Sequence, residues 1–397
     1  MNSKHIGILA VVLLLLGGLA AWMHYGGTGA WKQADTKSGA QVLPGLVVNN
    51  VATLRINAGK ETVTLERKGE AWSVKEREGY PADAQKIGLF LLKLAGLKVV
   101  QTDAISDALR PRLQLAPPGQ TDGGTAIDLI DAAGKPLGGL IIGKALTKKS
   151  EIPGATQETP TGRYLLVREQ PTVAIAVNEP LSDATASPKA WLDQRFAKPE
   201  RVKSITLASG GKPRWSVTRA EEAAMAWQLK DAAKGEELDT NKPQELAGAL
   251  GNLAMADVAV GAKPEELGLT DGDVLTVETF EGLTYVYTLG KKNAENRAVT
   301  VTVTGKPAPA PERTPAKDEK AEDKAKLDKE YQAKQAENTA RIAREQAMDK
   351  KVFLVADASV APLLRERATL LKPKPKPQPD PAKAADGKDA KKAPAKK

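Results

Sequence analysis

The chain contains no cysteine, and its only two histidines, His5 and His24, bracket an apolar run from Ile6 to Met23. Without cysteine there is no disulfide, no thiolate nucleophile and no site for lipoprotein processing, so a body outside the cytoplasm must be held by its core alone. Without a histidine in the 373 residues after His24, neither the usual zinc ligand sets nor a Ser–His or Cys–His pair can form there. Aromatics are scarce too, at 4% of residues, so the cores are expected to be aliphatic and small. A broad excess of one charge is also missing. The net charge is +9, but residues 372 to 397 hold nine Lys against three Asp, and the remainder is near balance. With no aromatics interleaved among the basic residues, a nucleic-acid partner is not expected.

What is present begins with the apolar run itself. Its 18 residues carry no charge and would span roughly 27 Å as a helix, close to the hydrocarbon thickness of a bilayer. Lys4 precedes it, and Trp22 and Tyr25 lie at its far end, where amphipathic rings favour headgroups. The expectation is a signal anchor over residues 1–25, N-terminus cytoplasmic and body outside. Its partner is then the lipid bilayer, through Ile6 to Met23. A cleaved signal peptide is the competing reading, since Gly18, Leu19 and Ala20 offer small residues at its end. Residues 26–43 are Gly-rich and polar, the composition of a flexible stalk.

From residue 44 the pattern is ordered. Val51 to Ile56, Thr62 to Arg67 and Ala71 to Val74 alternate apolar and polar residues across short turns, which predicts three antiparallel strands. Asp83 is placed to cap a helix carrying Ile87, Phe90, Leu91, Leu94 and Leu97 on one side. Further strands are expected at Ala126 to Ile130, Leu137 to Ile142, Tyr164 to Val167 and Val173 to Val177. The order then restarts: Val202 to Leu207 answers the first strand, Trp215 to Arg219 the second, Ala226 to Leu229 the third, and Asp239 to Leu253 the helix. Leu113 and Leu115 match Leu267 and Leu269. The separations are 151 for Val51 and Val202, 155 for Trp72 and Trp227, and 154 for Leu113 and Leu267. Steady spacing with the same element order predicts a tandem duplication, an α+β fold in which each copy is a mainly antiparallel sheet with one principal helix. The copies are assigned to 44–198 and 199–371. Arg163 pairs with Arg297 at 134 but Val173 with Val352 at 179, so 45 residues are inserted between two neighbouring strands. This insertion, about 306–350, is Pro-rich and then charged, with nine basic and nine acidic residues from Ala316 to Lys350. It reads as a solvated helix protruding from a hairpin, or, with a fuller apolar seam, a coiled coil. Residues 372–397 cannot bury enough apolar surface to fold.

The stretches that resemble chemical motifs resolve into strands and turns. Gly138 to Ala145 is one residue short of a phosphate-binding loop, with Ala145 where a magnesium-binding hydroxyl belongs and a strand-like Gly-Leu-Ile-Ile between the glycines. Asp271 and Asp273 hint at a calcium loop, but Gly282 stands at its twelfth position. Lys148, Lys149 and Ser150, or Asp193 and Arg195, hold suitable residue types without a diagnostic spacing. No catalytic, cofactor-binding or metal residue is assigned, and no small-molecule ligand is identifiable.

The anchor, the Leu43 to Leu46 entry, the strands from Val51, Thr62 and Ala71, the segment Gly79 to Asp83 and the Leu140 to Lys144 stretch together resemble the bacterial domain of unknown function 4340 family. The resemblance covers about residues 1 to 300 and 351 to 371. It implies a membrane-anchored protein, often encoded beside gliding-motility-type ABC transporter components, with no catalytic residues to carry over. The leading expectation is therefore a non-enzymatic envelope protein, a binding or scaffold module beside an ABC-type transport complex. The alternatives are an envelope hydrolase using carboxylates between the two repeats, and a wall- or anionic-lipid-binding protein acting through the basic tail.

Overall fold

The computed structural model describes residues 38–149, 158–223, 226–307 and 321–373. The apolar run Ile6 to Met23, most of the stalk and most of the Lys-rich tail lie outside them. Among the described residues no helix is long and apolar enough to cross a membrane. The chain divides after Arg195 into two compact units, and Ala256–Val260 group with the first. Both sheets are built from antiparallel strand pairs, with few helices, an α+β architecture.

The first sheet contains β1 (Thr53–Asn57), β2 (Thr62–Lys68), β3 (Ala71–Val74), β4 (Tyr80–Pro81), β5 (Gln101–Ala104), β6 (Thr125–Ile130), β7 (Pro136–Lys149), β8 (Glu158–Val167) and β9 (Val173–Val177). Their order across the sheet is β4-β3-β2-β1-β6-β7-β8-β9-β5. Register puts the apolar residues on one face: Leu54 opposes Leu65 and Leu129, while Ile56 opposes Val63 and Ile127. All six are at most 1% exposed. Helix α1 (Ala84–Ala95) starts where the Asp83 carboxylate accepts from the Lys86 amide, and it buries Ile87, Phe90, Leu91 and Leu94. Phe90 meets the fully buried Trp191 edge-on at 5.4 Å. On the opposite face Ile105, Leu113, Leu115, Leu166 and Ala174 form a smaller cluster.

The second sheet contains β10 (Val202–Ser209), β11 (Lys212–Thr218), β12 (Gln228–Leu229), β13 (Met255–Val258), β14 (Asp273–Thr279), β15 (Leu283–Asn293), β16 (Asn296–Gly305) and β17 (Val352–Ala356). Its order, β12-β11-β10-β14-β15-β16-β17-β13, reproduces the first once β4 is set aside. Helix α2 (Asn241–Gly251) corresponds to α1, and α3 (Ala321–Gln346) is inserted between β16 and β17. The likeness reaches single contacts. Arg67 lies over the ring of its cross-strand neighbour Trp72 at 5.7 Å, and Arg219 lies over Trp227 at 5.0 Å. The Ala82–Leu192 bridge recurs as Leu238–Leu371.

Two glycines repeat in the same way. Gly143 and Gly290 each sit where the register slips, between Ile142 and Ala145 in one sheet and between Leu289 and Lys292 in the other. A Cβ on Gly143 would come closer than 3.0 Å to the Leu113 carbonyl, and one on Gly290 equally close to the Leu267 carbonyl. This explains the conspicuous Gly-rich run from Gly138, which is strand β7. Its last glycine admits a packed backbone, with no room for a phosphate. We expect Gly143→Ala and Gly290→Ala each to destabilise the unit that holds it by about 1–3 kcal/mol, since neighbouring backbone must move. Gly248→Ala, in the middle of α2 with open space around its Cβ, should instead gain up to about 1 kcal/mol. Chemical denaturation of the three variants checks the ordering, and wild-type stability in Gly290→Ala would refute the packing argument.

The inserted segment differs from expectation. It is helical, but its last turns are embedded: Ile342, Glu345 and Met348 are at most 5% exposed. Sparse apolar residues concealed this, because a buried carboxylate completes the inward face.

Candidate functional site

The most distinctive chemistry in the second unit lies at the root of the α3 arm. Tyr285 and Tyr287 are two apart on β15, so both point to the buried face of the sheet. Their rings stack at 6.4 Å, and both residues are fully buried. The Tyr285 hydroxyl donates to Glu345 at 2.8 Å, and the Tyr287 hydroxyl donates to the Ala197 carbonyl at 3.2 Å. Glu345, with no exposed surface, also accepts from the Lys198 amide at 3.2 Å.

Arg341, one turn earlier, closes the cluster. Its guanidinium donates to Glu281 at 3.0 Å, to the Asn338 side chain at 2.6 Å, and to Glu345 and the Tyr285 hydroxyl at 3.3 Å each. Burial pushes the Glu345 carboxyl above its ordinary range, an effect restrained by the Tyr285 hydrogen bond and by Arg341. The Tyr285 hydroxyl is also pushed up, first by burial and then by Glu345, so it stays protonated as a donor. A folded state that raises a carboxyl pKa binds its proton more tightly than the unfolded chain does. Its stabilising contribution is therefore complete below the ordinary 4.5 and declines as pH rises through the folded value. Relative to wild type, Glu345→Gln should gain thermal stability progressively above about pH 4.5. Parallel melting curves for the two proteins from acid to neutral pH would show the carboxyl to be inconsequential.

Beyond this root the arm is solvent-exposed. Its 26 residues extend about 39 Å, and outward positions from Asp323 to Leu327 are exposed. A single stripe of half-buried residues, Asp328, Tyr331, Gln335 and Asn338, leads down to the root at helical spacing.

An open cleft of about 730 Å³ lies at the other end of β15, bordered by Thr270–Asp273 and by Leu289–Lys292. Asp271 is in a turn and Asp273 begins β14, which is where the Asp-Gly-Asp stretch falls. Two of the cations lining the cleft turn to one carboxylate: Lys292 and Arg297 meet Asp357 at 2.9 and 2.8 Å. Lys292 first, then Arg297, holds the Asp357 carboxyl below its usual range. The cleft thus offers polar walls without a field of one sign.

Among the described residues the remaining sequence candidates form no shared cluster. Asp193 is engaged by Arg195 itself, at 2.8 Å. Lys148 lies in β7, and Ser150 is outside the described residues. Among the described residues there is no group of three or more acidic, His or Cys side chains able to hold a metal. Arg163 occupies the register position of Arg297, opposite Val177 as Arg297 is opposite Val355. Its Nε is nonetheless buried without a hydrogen-bond partner. The Arg341–Glu345 pair was missed in the sequence because charged residues in a charged helix look solvated. Their spacing with Ile342 and Met348 was the available signal.

Two like-ordered antiparallel sheets, each with one principal helix, define the class to which this chain belongs. Residues 72–272, just over half of the chain, match the family described as domain of unknown function (DUF4340), and the chain belongs to that family. No curated protein and no solved structure matches it.

Proposed function

We propose that the protein is a single-pass, membrane-anchored envelope protein whose body is a binding or scaffold module, made of two copies of one α+β unit and accessory to an ABC-type transport complex. The observation that carries the binding role is the α3 arm. A charged helix is held out from the second unit by a buried root, an arrangement that fixes where a long exposed surface points. Holding Arg341 and Glu345 out of water costs free energy that an arm of no consequence would not need. The anchor rests on the uncharged run Ile6 to Met23, and the transporter link rests on the family resemblance. No comparable observation favours a hydrolase or a tail-mediated wall binder.

Excising residues 308–337, which leaves the root from Asn338 onward in place, should abolish co-purification of transporter subunits from membranes at native expression. Retained solubility and unchanged melting of the variant would show that the body survives. Undiminished recovery of the partner would remove the arm from the binding role, and repeated recovery of the intact protein alone would defeat the transporter link.

A further inference from the structure

Helix α1 has a second face that its fold does not use. Leu89 and Leu92, three apart and so on one side of the helix, are each 60% exposed. The turn Val48–Asn50 packs beside this helix, and Val47, just before it, is 54% exposed. Val100, shortly after the helix, is 51% exposed. The counterpart helix shows that the fold does not demand this. Aligning the Ala82 and Leu238 bridges places Phe90 with Leu246 and Leu94 with Leu250, all buried, but Leu89 with Glu245 and Leu92 with Gly248. Glu245 is tied up by Lys242 at 2.9 Å and by Arg365 at 2.5 Å. One helix thus covers its outer face with ion pairs, and the other leaves leucines there.

The chain's course indicates what meets them. Gly39 and Val42 donate to the carbonyls of Val99 and Leu97, so the polypeptide joins the first unit immediately after the end of α1. Fourteen residues separate Met23, the end of the apolar run, from Ser38. Fourteen residues cannot span more than about 50 Å whatever their conformation. The apolar face is therefore held near the bilayer surface at high effective concentration. Lys98, exposed beside the entry bridge with Gln41, adds a cation suited to anionic headgroups.

We infer that the Leu89–Leu92 face of α1 rests on the lipid bilayer surface beside the anchor, laying the helix in the headgroup layer. This orients the first unit on its membrane instead of leaving it free on a stalk. The inference depends on the anchor in the proposed function.

The absence of native cysteine permits a clean test on the full-length protein in nanodiscs of phosphatidylglycerol and phosphatidylethanolamine. Leu92→Cys, Leu89→Cys and, as reference, Gly248→Cys are each labelled with an environment-sensitive fluorophore. The expected result is blue-shifted emission at positions 89 and 92, mostly quenched by doxyl-labelled lipids, with position 248 unaffected. Quenching no greater at 89 and 92 than at 248 overturns the inference. Burial at 89 and 92 in native membranes without lipid quenching in nanodiscs also overturns it, and assigns the face to a protein partner. Extraction by alkaline carbonate separates the two readings: release from the membrane defeats the anchor and the docking together, whereas retention with unquenched fluorophores defeats the docking alone.

Discussion

Replacing Arg341 with Ala is expected to weaken the second unit by about 3–5 kcal/mol and to detach the base of the arm. The magnitude follows from what is left behind: a carboxylate with no exposed surface that has lost the guanidinium it pairs with. Tyr285 still donates to Glu345, but a hydroxyl supplies one hydrogen bond and no charge. Glu281, Asn338 and the Tyr285 hydroxyl lose the same donor as Glu345 does, so one substitution disturbs all of these acceptors. Arg341→Lys should recover only part of the loss, because one ammonium cannot span the fork that the guanidinium fills. Denaturant titration monitored at Tyr285 and Tyr287 checks this, and a loss below about 1 kcal/mol would reduce the root to a surface ion pair.

A comparable loss is expected in the first unit from Trp191→Ala, about 3–5 kcal/mol. The indole is fully buried and packs edge-on against Phe90. Its Nε1 donates to the Thr185 carbonyl at 2.9 Å, and the Trp191 carbonyl accepts from the Asp83 amide at 2.9 Å. The residue therefore fills the core and holds the start of α1. Removing the ring opens a cavity beside Phe90 and strands the Thr185 carbonyl, while the main-chain bond to Asp83 stays in place. Hydrogen exchange should rise in α1 and in β1–β3, with β14–β16 as the internal reference. Equal protection in wild type and variant would contradict the assignment of Trp191 as the keystone of that core.

The alternating strands β1 to β3, the Asp83 cap and the matched tryptophans were all readable in the sequence, because each depends on local periodicity or capping. The edge strands β5 and β13 were not. Gln101, Thr102 and Asp103 are polar and show no alternation, yet Thr102 and Asp103 are nearly buried, since only pairing with β9 gives them a place. The root of the arm escaped for a related reason. Whether Glu345 faces solvent or a tyrosine hydroxyl depends on a strand sixty residues away, and no window along α3 contains that information. The register also moved one pairing: Val352 lies opposite Thr300 as Ala174 lies opposite Leu166, one residue from the sequence match with Val173.

The root of the arm bears on how the second sheet is completed in time. Strand β17 must find β16 across the longest connection in that unit, and closing such a loop costs entropy that rises with its length. The helix forms on the microsecond scale. Its base then returns to the loop's own beginning, where Gln346 donates to the Gly305 carbonyl and Thr302 donates to Asp349. Once that happens, Val352 trails Asp349 by only three residues, and a distant search becomes a local one. The arm's base is thus placed where a folding splint would stand, and weakening it is expected to slow closure of the sheet as well as hasten its opening.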